Sequence, residues 1–165
     1  MKKPKVLLIL LFVLPWLSFP LLGRRTISRF LPATILISVI SKVLYTIGKK
    51  RRWWLFSTKV NPKISGDTAF VFGPFFLSAL WILKLTYSRF PLYLLTNIVV
   101  HILFDVWGLK ILKRTRIASL VRINPFQHFL FLQFRAWLLY SFQLLFDKIR
   151  KNKNHLLNKI GQKGA

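Results

Sequence analysis

Five long apolar runs, separated by short basic stretches, make up most of the chain: residues 6–22, 27–47, 69–85, 91–109 and 126–146. A helix needs about 20 apolar residues to cross the hydrocarbon core of a bilayer, and the runs have roughly that length. Backbone polar groups in lipid must be satisfied within their own segment, which favours helices. The pattern therefore predicts an all-α protein, a transmembrane helix bundle that forms a single membrane domain over residues 1–165.

The fifth run differs from the others because it contains several polar side chains. A helix lying on the membrane surface should have one polar face, whereas these side chains point in scattered directions on a helical wheel; they are Gln127, His128, Gln133, Arg135 and Gln143. The distribution of Lys and Arg favours the opposite conclusion, that the fifth run does not cross. Only in that case do the cations lie mostly on one side of the membrane. We expect four spans and a fifth membrane-embedded helix whose crossing stays open, with a cytoplasmic N-terminus in the cell membrane.

The charge balance is strongly basic, with 27 Lys and Arg against 3 acidic residues and a net charge of +24. The cations lie between the apolar runs, where anionic lipid headgroups bind them, so the expected partner is the lipid bilayer and not nucleic acid. A basic surface loop is predicted over residues 48–68 and a basic tail over residues 147–165. The loop begins with a predicted headgroup anchor of four cations and two indoles: Lys49, Lys50, Arg51, Arg52, Trp53 and Trp54.

Two charged residues near the ends of apolar runs have simple interpretations. Lys42 is close enough to the end of the second run for its ammonium to reach the interface. Asp67 and Thr68 directly precede the third run, where either side chain can cap a helix. A role for Asp67 as an ion ligand is the less favoured alternative.

The composition excludes several classes of chemistry. The chain has no cysteine, which removes disulfides, thiolate catalysis and cysteine-ligated metals. It contains no nucleotide-binding glycine loop, no GxSxG elbow and no HExxH motif. Three carboxylates in the whole chain are too few for most chemistry that needs paired acids. We therefore predict no enzymatic role and no cofactor.

The fourth run is the most informative, because it carries Asn97, His101 and Asp105 at four-residue intervals. This spacing places the three side chains on one face of a helix, and such a face is costly if it meets lipid. Arg135 is the only Lys or Arg deep in an apolar run, and helix rise places it at a depth from which it can reach Asp105. We expect an Arg135–Asp105 pair within an intramembrane polar cluster that also contains Asn97, His101 and His128.

Three roles compete for this cluster. The favoured one is structural, with hydrogen bonds that fix which helix faces meet. The alternative is a small transporter, or an ion or proton pathway, in which His101 and Asp105 titrate beside Arg135. The third is a membrane-embedded enzyme with His101 as base, or with His101 and Asp105 as metal ligands completed by His128 or a carbonyl.

Four segments give the chain a resemblance to a known group: RRWWLF, NPKISGD, FGPFFLSALWILKLTY and SLVRIN. In these the chain resembles small multi-spanning membrane proteins of Gram-positive bacteria, a group with no assigned activity. The resemblance implies no cofactor and no site. The expected function is that of a structural or accessory membrane protein, acting with another membrane protein or with a second copy of itself.

Overall fold

The computed structural model describes residues 2–61 and 64–163, and five long helices dominate it. They are α1 (Lys2–Trp16, continued by a 3₁₀ turn over Phe19–Leu22), α2 (Arg24–Lys50), α3 (Gly66–Thr86), α4 (Phe90–Arg114) and α5 (Pro125–Lys163). All five helices are long and apolar enough to cross a membrane. The predicted all-α helix bundle is confirmed.

Four of the helices form a four-sided bundle. Helix α2 packs against α3, α3 against α4, α4 against α5, and α5 against α2, while α1 lies outside and packs on α3. Gly23 alone joins α1 to α2, and a three-residue turn joins α3 to α4, so these sequence neighbours run antiparallel. The core between the helices is apolar and includes Ile37, Leu80, Leu83 and Tyr93.

The position of helix α5 bears on whether the fifth run crosses the membrane, which the sequence left open. The helix runs antiparallel to α2 over nearly all of that helix, from Arg135 beside Tyr45 to Arg150, whose guanidinium donates a hydrogen bond to the Ser28 carbonyl at 2.9 Å. A membrane that α2 crosses is therefore crossed by α5 as well. The helix then continues to Lys163, so the described part of the predicted basic tail belongs to the same helix.

Both α3 and α4 contain a wide π-helical turn. The first covers Val71–Phe75 and includes Pro74, which has no N–H to donate to the regular helix ladder. The second covers Phe104–Gly108 and includes Asp105. Such a turn changes the angular spacing of residues along the helix, so Asp105 need not follow the line set by Asn97 and His101.

Short strands cover one end of the bundle, which the sequence did not predict. Strand β1 (Trp54–Phe56) follows α2 and pairs antiparallel with β4 (Ala118–Leu120), which follows α4. Between them β2 (Lys59–Asn61) pairs with β3 (Ile64–Ser65). The loops after α2 and α4 are therefore tied together over the end of the bundle.

The same chain reversal ends α2 and α4. In each, the residue after the helix cap has a positive φ, 56° at Arg52 and 55° at Arg116. The next backbone N–H returns to the helix, from Trp53 to the Gly48 carbonyl at 2.8 Å and from Ile117 to the Leu112 carbonyl at 2.9 Å. This is the Schellman arrangement, and it turns each chain back so that β1 and β4 meet.

Candidate functional site

The central feature of the candidate site is a buried pair between Asp105 of α4 and His128 in the first turn of α5. His128 Nδ1 lies 2.6 Å from Asp105 Oδ1, and the two side chains are only 4% and 7% exposed. The rings of Trp54 and Phe104 pack around the imidazole, each with its centre 6.1 Å away. The pair joins two neighbouring helices in a buried, aromatic setting.

This contact corrects the predicted Arg135–Asp105 pair. The prediction measured depth from the ends of two runs and assumed that both ends lie at one level. In the structure α4 continues to Arg114, about 14 Å beyond Asp105, whereas His128 is only about 5 Å into α5 at 1.5 Å per residue. The connecting chain folds back over the bundle through β4, which brings His128 and not Arg135 level with Asp105.

Arg135 lies in an aromatic environment. Its guanidinium carbon is 3.9 Å from the centre of the Phe75 ring, with the rings of Tyr45 and Phe131 at 5.5 and 5.8 Å. The residue is 2% exposed, and its Nε and Nη1 have no hydrogen-bond partner among the described residues. Cation–π contact favours this arrangement but supplies no opposite charge.

The remaining residues of the predicted cluster lie with Arg135. The Asn97 side chain is buried and donates a hydrogen bond from Nδ2 to the Tyr93 carbonyl at 2.8 Å. His101 lies one turn further along α4, and its Nδ1 is buried without a partner in the described structure. Asn97, His101 and Arg135 line one cavity of about 270 Å³, which Asp105 and His128 do not line. The five residues therefore form two groups.

The other two carboxylates also pair with cations on different helices. Asp67, in the first turn of α3, binds the ammonium of Lys42 on α2, which also contacts Thr68 Oγ1 at 2.6 Å. Asp147 on α5 accepts from Arg29 of α2 at 2.7 Å.

These contacts bear on the predictions for Lys42 and for the cap of α3, and they include one pair that the sequence did not predict. The Lys42 ammonium contacts Asp67 and Thr68 at the start of α3, and no side-chain bond caps α3. The Arg29–Asp147 pair was missed. A usable signal was the scarcity of acids, since the chain has only 3 of them against 27 Lys and Arg.

The structure divides the predicted headgroup anchor into exposed cations and a buried indole. Lys49, Lys50, Arg51 and Arg52 are exposed, as an anchor requires, and Trp53 is half-buried. Trp54 is 3% exposed, so its prediction as an interfacial anchor is wrong. The chain reversal after α2 places its ring over Gly48, where an added Cβ would come within 2.3 Å of the ring.

No protein-family model matches the sequence, and no curated protein or solved structure is significantly similar to it. The resemblance to small multi-spanning proteins of Gram-positive bacteria therefore stays a prediction. The geometry of the site is therefore what indicates its chemistry.

The geometry allows two kinds of chemistry. A buried His–Asp pair can hold a proton or orient an imidazole, and an unpaired guanidinium in an apolar cavity can bind an anion. Within residues 2–61 and 64–163, no group of three or more His, Cys, Asp or Glu side chains is placed to hold a metal ion.

Proposed function

We propose that the protein is a multi-pass protein of the cell membrane with a structural or accessory role and no enzymatic activity. One observation carries the proposal: all three acidic side chains of the chain are used to join helices. The pairs connect α2 with α3, α4 with α5, and α5 with α2. Carboxylates used in this way hold the bundle together and are not free for substrate chemistry.

The three pairs specify helix neighbours more than they add stability. Polar contacts between membrane helices contribute about 0.6 kcal/mol each on average, because alternative partners exist in the membrane. A buried charge left without its partner is much more unfavourable, so arrangements that separate buried Asp67 from Lys42, or buried Asp105 from His128, are disfavoured. An accessory role is supported by α1 and α4, in which only 11% of the most apolar window is buried. Their outer faces are open to lipid or to another membrane protein.

A second candidate function is a proton pathway, which the buried His128–Asp105 pair favours. Purified protein in liposomes distinguishes the two, with a pH-sensitive dye recording proton entry under an imposed potential. The structural role predicts no flux above empty liposomes from the wild-type protein or from Asp105→Asn, and a lower unfolding temperature for Asp105→Asn in detergent. A flux in the wild-type protein that Asp105→Asn abolishes would establish the pathway and overturn the structural proposal.

The proposed orientation places the N-terminus and the strand-covered end of the bundle in the cytoplasm. That end carries the exposed cations Lys49, Lys50, Arg51 and Arg52, which suit the anionic inner leaflet. Because the chain has no cysteine, a single one can be introduced at Lys50 or at Ser88 in the turn at the opposite end. In intact cells a membrane-impermeant maleimide should label Ser88→Cys and spare Lys50→Cys. The reverse labelling pattern would show the opposite orientation.

A further inference from the structure

The cavity beside Arg135 has the dimensions of a small ligand site. It lies between α3, α4 and α5, is partly open, and has a volume of about 270 Å³. An engineered cavity of about 150 Å³ binds benzene, and ordinary ligand pockets begin near 300 Å³. Apolar side chains form most of its wall, among them Phe75, Ile82, Val100, Leu132 and Leu139.

The described residues provide no counter-charge for the guanidinium in this wall. Arg135 is 2% exposed, with Nε and Nη1 unpartnered in the described structure. All three side-chain carboxylates are bound to other side chains: Asp67 to Lys42, Asp105 to His128 and Asp147 to Arg29. A buried charge without a partner is strongly unfavourable. An anion from outside the chain would compensate it.

The surroundings of Arg135 restrict which anion fits. Arg135 is about 15 Å from the start of α5 at 1.5 Å per residue, and His101 lies near the middle of α4. The site is thus far from the level of phospholipid headgroups, and it is too small for a lipid with two chains. A bare inorganic anion would leave the apolar wall uncovered.

We propose that this cavity binds a single-chain fatty acid, with its carboxylate on Arg135 and its hydrocarbon chain along the apolar wall. His101 lines the same cavity and has an unpartnered Nδ1, so its imidazole is available as a second polar contact for the carboxylate. This binding goes beyond the structural role proposed above and does not depend on it. A bundle that only holds helices together has no need of an unpaired arginine in its core.

Photolabelling tests the proposal in the full-length protein reconstituted in lipid nanodiscs. The probe is dodecanoate with a diazirine near the end of its chain, and the labelled residues are mapped by mass spectrometry. We expect labelling of the cavity wall at Val100 and Leu132, competed by unlabelled dodecanoate. Dodecanol, which lacks the charge, should compete at least about ten-fold less well, and acetate, which lacks the chain, should not compete.

Two variants address the two halves of the site, each with a matched control. Arg135→Gln should weaken dodecanoate competition about ten- to a hundred-fold, whereas Arg89→Gln, at an exposed arginine, should not. Val100→Phe fills the cavity from a partly exposed position and should block labelling, whereas Val99→Phe, at a neighbouring exposed position, should not.

Several outcomes would overturn the proposal. If dodecanol competed as well as dodecanoate, the cavity would bind the hydrocarbon chain regardless of charge. Competition by acetate would show a site for small anions. Labelling spread over lipid-facing residues such as Leu95 would show that the probe reacts from the bilayer. If Arg135→Gln does not fold, normal labelling of a folded Val100→Phe protein is sufficient to reject the site.

Discussion

Replacing His128 with leucine is expected to lower the free energy of unfolding by about 3–5 kcal/mol, because it leaves the carboxylate of Asp105 buried without a partner. The Asp105 side chain is 7% exposed, and its second oxygen already has no hydrogen-bond partner among the described residues. Titration with SDS in mixed micelles, followed by tryptophan fluorescence, measures the effect.

Two further variants distinguish the loss of the His128–Asp105 contact from the loss of a histidine side chain alone. In His128→Leu with Asp105→Leu no carboxylate is left buried without a partner, so the double variant should be more stable than His128→Leu alone. His155→Leu changes an exposed histidine further along α5 and should have little effect. A double variant as unstable as the single one would show that the His128–Asp105 contact contributes no coupling energy.

The apolar runs predicted the five helices because lipid imposes a simple rule. Every backbone polar group in the hydrocarbon layer must be bonded within its own segment, so a long apolar run has almost no alternative to a helix. The ends of the helices are less constrained. Helix α4 extends five residues beyond the predicted boundary at Leu109, and α5 continues through most of the predicted tail. Basic residues continue a helix as readily as apolar ones once it leaves the membrane.

The strands at the end of the bundle could not be read from the sequence. Trp54 looked like an interfacial anchor because it follows four cations and another tryptophan. Its burial depends on two contacts: the nearby Gly48 leaves room for the indole, and the pairing with Leu120, which is distant in sequence, fixes the strand. Local composition contains no information on such pairing. The polar residues of the site were identifiable for the opposite reason, since charged groups in apolar runs are rare.

The partners within the site could be inferred only in part. Four-residue spacing correctly suggested that Asn97 and His101 share a face, and both line the cavity with Arg135. Asp105 departs from that face because it lies in a π-helical turn, which the sequence does not indicate. The scarcity of acids is the more general guide. With 3 acids against 27 Lys and Arg, most cations cannot pair with an acid, so a buried cation has no guarantee of a carboxylate partner. Arg135 is a buried cation with no carboxylate partner among the described residues.

Replacing Lys42 with leucine is expected to destabilise the protein by about 3 kcal/mol, near the lower end of the range for a broken buried pair. The carboxylate of Asp67 would lose the ammonium of Lys42 as its partner, and Asp67 is only 3% exposed. The loss is smaller than at His128 because Asp67 lies in the first turn of α3, where the free backbone N–H groups favour a negative charge.

The same SDS titration measures this loss of stability. A control variant and a double variant show whether it comes from the broken pair. Lys113→Leu removes an exposed lysine near the end of α4 and should leave stability within about 0.5 kcal/mol of the wild type. Lys42→Leu with Asp67→Leu should recover most of the loss, because no charge is stranded. If Lys42→Leu alone were as stable as the wild type, Asp67 would have to be neutral or hydrated in the membrane, and the acids would no longer explain which helices are neighbours.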